Sequence, residues 1–364
     1  MFHIDYLTTF EITLCNDVIM CLGFLCCFLK MFTSKDYFMI FNIVQHVSLS
    51  LMIFREIGQH KLEYDVWKPF IVSVLTQVSI LILAYIFVLI KRGQHKAFTY
   101  FIVMLSCSFF NAEYYGVPLV QSIFGTEYTY VAILLYVVHS IILRPLSTFV
   151  AYLCIKENEV TTDRGSECFE EEEELEDGID KGDPNHEPID IEPSEEEKHE
   201  EEKKNETNNN SFGKILLWSI VSPQNIGFVL GVIWSATKVK MPTIIDSFTN
   251  DHEKALMAAG LFACGGMIYE HPFWHTSIAF ETFIFTIIKL FIVPLIALGW
   301  SKLLKCDKTI QMIITLVYAS PVGLPSYVLC HQYNIKLLSP TLNFVWTNLF
   351  SLPAILLWAL IFNY

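Results

Sequence analysis

Asn111-Ala112-Glu113-Tyr114-Tyr115-Gly116-Val117-Pro118 interrupts an apolar run from Phe98 to Ile123, and Ser320-Pro321-Val322-Gly323-Leu324-Pro325 interrupts another from Thr309 to Ile335. Both insertions place glycine and proline in the middle of a stretch long enough to cross a bilayer. Proline removes a backbone N–H and clashes with the carbonyl one turn back, and glycine lowers the cost of unwinding. A helix broken at membrane depth is tolerated only where its freed backbone groups are buried in protein or line a cavity. One such break is an ordinary kink. Two breaks at matching places in two halves of a chain point to a transport site.

The matching depends on counting outward from these runs. A membrane helix needs about 20 mostly apolar residues. Leu7–Leu29, Tyr37–Phe54, Ile71–Ile90 and Tyr128–Ile155 join the first broken run. Ile215–Thr237, Met241–Tyr269, Phe273–Ser301 and Leu337–Tyr364 join the second. This predicts an all-α polytopic membrane protein with ten transmembrane helices, five on each side of a polar segment. An odd number per half makes tandem halves insert in opposite senses, the arithmetic of an inverted repeat. The expected divisions are residues 1–155 for the first five-helix repeat, 156–213 for the connecting loop and 214–364 for the second repeat. The chain is expected to lie in a bilayer as a multi-pass protein. The sequence does not choose between the plasma membrane and an internal one.

The loop explains an odd composition. Hydrophobic residues make up 53% of the 364 and mean hydropathy is +0.44, yet the net charge is −14. Residues 157–206 hold 23 of the 38 acids and 5 of the 24 bases, a net of −18; the remainder is +4. Such a segment buries too little apolar surface to offset its ordering entropy, so it is expected to be disordered. It serves either as a solvated spacer or as a site for a cytoplasmic partner. With the N-terminus outside, Lys30, Lys35, Lys91, Arg92, Lys96 and Lys156 fall inside, against Arg55, Lys61 and Lys68 outside. The first half thus obeys the positive-inside rule and puts the acidic loop in the cytoplasm. The sequons at Asn205 and Asn209 are then not glycosylated.

Several classes fall away. A nucleic-acid binder needs a basic surface, which is absent. The cysteines sit mostly in apolar runs, where they behave as small hydrophobes rather than a disulfide framework. The N-terminus has no basic region of a cleavable signal. His271 and His275 beside Glu270 have metal-like spacing but no further ligand nearby, so no metal or cofactor is expected. No phosphate-binding loop, nucleophile elbow or HExxH motif is present; the chain is therefore expected not to be an enzyme or an ATP-driven pump.

Further motifs sharpen the assignment. Asn111-x4-Gly116-x-Pro118-Leu119, preceded by Ser106 and Ser108 and followed by Phe124-Gly125, resembles the fourth helix of the auxin efflux carrier family. Leu22-Gly23-Phe24, Gly227–Gly231, Met241-Pro242, Ala259–Gly265, Lys289-Leu290 with Pro294, and Pro321 through Asn334 resemble its other helices. The resemblance implies a carrier of the bile-acid-symporter type. Helices one, two, six and seven would form a scaffold through which the chain dimerises. Helices three to five and eight to ten would form a mobile body. The broken fourth and ninth helices would cross beside the substrate, and that body would move like an elevator. Departures stand out. Glu113 replaces a small residue, Arg144 replaces an asparagine, the second-helix proline is missing between Val47 and Phe54, and Ser326 stands at the crossing proline, one after Pro325. The auxin specificity of plant exporters therefore does not carry over.

The expected function is secondary transport of small organic anions. The alternative is a non-transporting membrane sensor or scaffold that signals through its acidic loop. The candidate substrate site comprises Asn111, Glu113, Gly116, Pro118, Arg144, Lys289, Pro321, Gly323 and Pro325. A broken helix turns an N-terminal half-dipole toward the crossing, which suits an anion. Asn111 either orients a carboxylate or ties two helices together. Glu113 either carries a proton or pairs with Arg144 or Lys289. Arg144 is a substrate counter-ion or a brace, and Lys289 contacts Glu113, senses substrate or snorkels. His46, His139 and His331 are expected in the hydrogen-bonded core.

Overall fold

The computed structural model describes residues 6–61, 64–91, 95–162, 213, 217, 219–269, 278–333, 335 and 338–363. Every regular element among them is helical. The first half runs α1 (Tyr6–Phe28), α2 (Ser34–Ile43), α3 (Leu49–Gln59), α4 (Tyr64–Lys91), α5 (Lys96–Ser108), α6 (Val117–Phe124), α7 (Thr129–Val138) and α8 (Arg144–Thr162). The second runs α9 (Pro223–Thr237), α10 (Thr243–Tyr269), α11 (Ala279–Ile287), α12 (Val293–Leu303), α13 (Lys308–Tyr318), α14 (Pro325–Gln332) and α15 (Leu338–Asn363). Four π-helical turns are inserted: Val44–Ser48 between α2 and α3, Ala112–Gly116 before α6, His139–Leu143 between α7 and α8, and Ile288–Ile292 between α11 and α12.

Local chemistry sets several ends. Asp36 accepts hydrogen bonds from the Thr33 backbone N–H and hydroxyl, both at 2.8 Å, which caps α2. Pro223 opens α9 behind Ser222, and Lys238 in the left-handed region (φ 57°) closes it. Within the span expected from Ile215, residues 217, 219 and 220 are already helical, and Ser222-Pro223 marks a break before α9. At the other end of the insert, α8 runs past Ile155 to Thr162, and the Glu157 carboxylate accepts from the Lys96 backbone N–H at 3.1 Å. The rest of the acidic segment, both sequons, and Glu270 with His271 and His275 lie outside the described residues.

Six described helical stretches are long and apolar enough to cross a membrane: Tyr6–Phe28, Lys35–Gln59, Asp65–Lys91, Thr126–Glu157, Ala279–Leu303 and Ser339–Phe362. The other expected spans depart from that measure in different ways. Two are broken, as α5 with α6 and as α13 with α14. α10 carries Asp246, Asp251, Glu253 and Lys254 in its first half. Outward faces are apolar, with Leu14, Leu22, Ile82, Leu89, Ile226, Ile233, Leu295 and Leu360 all exposed. Such a surface has a solvent only in lipid.

Two helix pairs are packed backbone to backbone, α1 on α10 and α3 on α9. A Cβ on Gly265 would collide with the Met20 carbonyl, and one on Gly227 with the Ser50 carbonyl. Around them α4, α5, α7, α8, α12 and α13 pack on one another, and α11 packs on α15. The broken segments lie fully buried in this second group: Phe110, Tyr114, Tyr115 and Tyr318 are among the largest enclosed side chains.

Candidate functional site

The two interruptions meet. The Asn111 backbone N–H donates to the Pro321 carbonyl at 2.9 Å, joining the break after α5 to the break after α13. Glycine permits the approach. A Cβ on Gly323 would stand 3.0 Å from the Phe110 carbonyl oxygen, and one on Gly116 would stand 3.2 Å from Val317 Cγ1. Pro118 lies in the first turn of α6 and Pro325 opens α14, positions where a missing N–H costs nothing. Asn111 itself caps the Ala112–Gly116 turn: its Oδ1 accepts from the Tyr114 N–H at 3.1 Å, and its carbonyl accepts from the Gly116 N–H at 2.9 Å. Its Nδ2 is buried and makes no hydrogen bond.

The carbonyl ends of both half-helices are satisfied by side-chain donors. Lys289, fully buried, donates through Nζ to the carbonyls of Tyr318 and Ser320, both at 2.7 Å. An ammonium suits the negative end of a helix dipole. At the end of α5, Gln77 Nε2 donates to the Ser108 carbonyl at 3.1 Å, and Asn343 Nδ2 to the Ser106 carbonyl at 3.0 Å. Thr347 accepts from the Val322 N–H at 3.1 Å. Around this frame the hydroxyls of Ser106, Ser108 and Ser320 and the Oε1 of Gln77 are buried without a hydrogen-bond partner. Buried polar groups in proteins are normally paired.

The charges fall into two groups. Lys289 touches neither Glu113 nor Glu281; Glu281 instead lies 3.6 Å from Lys91. Glu113, 1% exposed, lies in the π-helical turn, and both its carboxyl oxygens lack a hydrogen-bond partner. Arg144 connects to this turn through Gln224, which donates to the Gln45 carbonyl, and through Gln45, which accepts from the Tyr114 hydroxyl. Glu113 and Arg144 do not form an ion pair within 4.0 Å. Arg144 Nη1 donates to Gln224 Oε1 at a long 3.4 Å.

Gln45 is the residue that sequence reasoning missed. Its Oε1 accepts from Tyr114 Oη at 2.6 Å and its Nε2 donates to Tyr136 Oη at 2.9 Å, while its carbonyl accepts from Gln224 Nε2 at 2.6 Å. The available signal was one of two amides, Asn42 and Gln45, inside the apolar run Tyr37–Phe54. Gln77 is the same signal inside Ile71–Ile90. His139 does lie in the core, with its ring 4.0 Å from that of Phe110 and Nε2 3.1 Å from Gln77 Nε2. His46 does not; it is exposed on the Val44–Ser48 turn. The side chain of His331 lies outside the described ones. Gln45, Glu113, His139 and Lys289 each sit in one of the four π-helical turns. Such insertions recur at functional positions because they re-aim a side chain out of the regular helical register.

A comparison with curated proteins finds no match. The family model for "Membrane transport protein" matches residues 17–359, from α1 into α15 and across both broken helices. With so much of the chain covered and with the auxin-carrier motifs inside that range, the chain belongs to this membrane transport protein family, that of the auxin efflux carriers.

Proposed function

We propose that this membrane transporter is a secondary carrier of small organic anions. In this reading ten helices form two inverted five-helix repeats. α1, α2–α3, α9 and α10 form the fixed scaffold, which pairs with a second copy. The remaining helices form a body that moves like an elevator. The observation that carries it is the Asn111–Pro321 contact at 2.9 Å between the two broken helices.

The electrostatics favour an anion there. Lys289, Gln77 and Asn343 occupy the carbonyl ends of α5 and α13. The opposing N-terminal ends, at the Ala112–Gly116 turn and at α14, carry partial positive charge and hold no acid in their own first turn other than Glu113. The free Nδ2 of Asn111 is a donor in reach of a carboxylate bound at the crossing.

Flux of radiolabelled carboxylates into proteoliposomes tests this. Uptake is expected from the intact protein. Asn111→Ala should lower it about 10-fold or more, as for loss of a hydrogen bond to a charged group. Gly116→Leu, which drives a side chain against Val317, should abolish it. Unaltered flux in both variants, or no flux of any carboxylate by intact protein, overturns the proposal.

A further inference from the structure

We infer that the substrate carries an ammonium group as well as a carboxylate, and that Glu113 and Arg144 recognise its two ends. This rests on the carrier function proposed above and narrows its substrate class to amino-acid-like zwitterions.

Glu113 begins from an unusual position. It is 1% exposed, and neither carboxyl oxygen has a hydrogen-bond partner among the described residues. An ionised carboxylate left so would lack the pairing that buried charges require. A protonated one would hold an unused donor and an unused acceptor. Beyond an approach to its own backbone N–H, neither state is completed by the described residues, which leaves the group open to a ligand. Arg144 is equally under-used. Its planar guanidinium has five donors suited to a carboxylate, and its one hydrogen bond among the described residues is the long contact with Gln224.

The placement of the pair fits a small ligand with two opposite charges. Hydrogen bonds link Arg144 to Gln224, Gln224 to the Gln45 carbonyl and Gln45 to Tyr114, the residue after Glu113, yet Arg144 and Glu113 form no ion pair within 4.0 Å. Opposite charges that could meet are instead held apart, Glu113 by the turn that Asn111 caps and Arg144 by Gln224 at the foot of α9. The hydroxyls of Tyr114 and Tyr136 are both held by Gln45. The Ala112–Gly116 turn that carries Glu113 packs on α10, where Gly260 meets the Tyr114 ring. A ligand lodged there contacts both bodies of the carrier. An ammonium on Glu113 and a carboxylate on Arg144 would give each charge of this pair its counter-charge. A simple carboxylate would leave Glu113 unmet and place a second negative charge beside it.

Matched probes test the inference: phenylalanine, 3-phenylpropionate and 2-phenylethylamine, then leucine with 4-methylpentanoate and 3-methylbutylamine. Each is offered to the full chain in proteoliposomes, with binding and counterflow measured. The zwitterion of at least one series should be favoured over both singly charged analogues by about 30-fold, the typical effect of leaving one buried charged partner unpaired. Glu113→Gln, close in shape, should erase the preference over the matched carboxylate by lowering zwitterion binding to the level of that carboxylate. Its elution as a single species in detergent controls for folding. If carboxylates move as well as zwitterions, or if Glu113→Gln leaves the preference untouched, the inference fails and the carrier reading stands. If no carboxylate or zwitterion binds or moves, both fail.

Discussion

Lys289 shows how one buried charge is justified. A lysine enclosed at membrane depth costs several kcal/mol unless paired. Here the pairing is with two backbone carbonyls, those of Tyr318 and Ser320, at the point where α13 ends. The ammonium therefore serves as a helix cap. Removing it strands two buried acceptors at about 1–3 kcal/mol each. Lys289→Met is expected to lower the melting temperature of the detergent-solubilised protein markedly, whereas Lys302→Met, at an exposed position on α12, should leave it unchanged. Equal melting temperatures for both would show that the Lys289 contacts carry no stability. The lysine itself was legible in the sequence as a charge inside an apolar run. Its partners were not, because carbonyls become available only where α13 breaks off. The same limit applied to Glu113, whose expected partners included Lys289. The pattern gave a buried acid and a buried base; only the tertiary fold sends one to a helix end and the other to the α10 side.

At the scale of elements, glycines on α10 separate two kinds of contact. Gly265 meets the backbone of α1 at Met20, whereas Gly260 meets the ring of Tyr114 in the broken fourth helix. A methyl at Gly265 forces two backbones apart, which costs about 1–3 kcal/mol. A methyl at Gly260 displaces a side chain whose hydroxyl is bound to Gln45 at 2.6 Å. Gly265→Ala is thus expected to reduce stability with little effect on the flux of the protein that still folds. Gly260→Ala should reduce flux with a smaller effect on melting. A thermal melt and a proteoliposome assay on both variants check this, and the reverse pattern would refute it. The interruption of two runs by glycine and proline was plain from the sequence, because each chemical cause sits at the break itself. The π-helical turns were not. Their extra residue leaves no mark on an apolar pattern when every face of the helix is apolar or buried, as along Tyr128–Ile155.

Across the whole molecule, an elevator requires a junction that holds in one state and releases in passing to the next. The polar links between α3, α10 and the broken-helix body are few. Gln45 holds Tyr114 and Tyr136. His60 Nε2 lies 3.1 Å from the Glu127 carbonyl. Gln121 of α6 donates to Glu253 of α10 at 2.6 Å. Glu253 is itself fixed, because Arg55 binds its other oxygen at 2.9 Å while also holding Glu56 and Asp246. The Gln121 contact therefore joins a side chain on the proposed moving body to an anion anchored on the proposed scaffold. A hydrogen bond to a charged group is worth about 1.5–3 kcal/mol. If it exists only in this state, its loss shifts the equilibrium toward the other by about 10- to 100-fold. Gln121→Leu removes it while leaving Arg55 to satisfy Glu253. The reporter is Ser320→Cys at the crossing, fully buried in this state. A membrane-impermeant maleimide should label that cysteine about 10-fold faster when Gln121→Leu is added, relative to the same protein without the reporter. Labelling at an unchanged rate would mean that the Gln121–Glu253 contact persists through the cycle or that the two bodies do not part along α6.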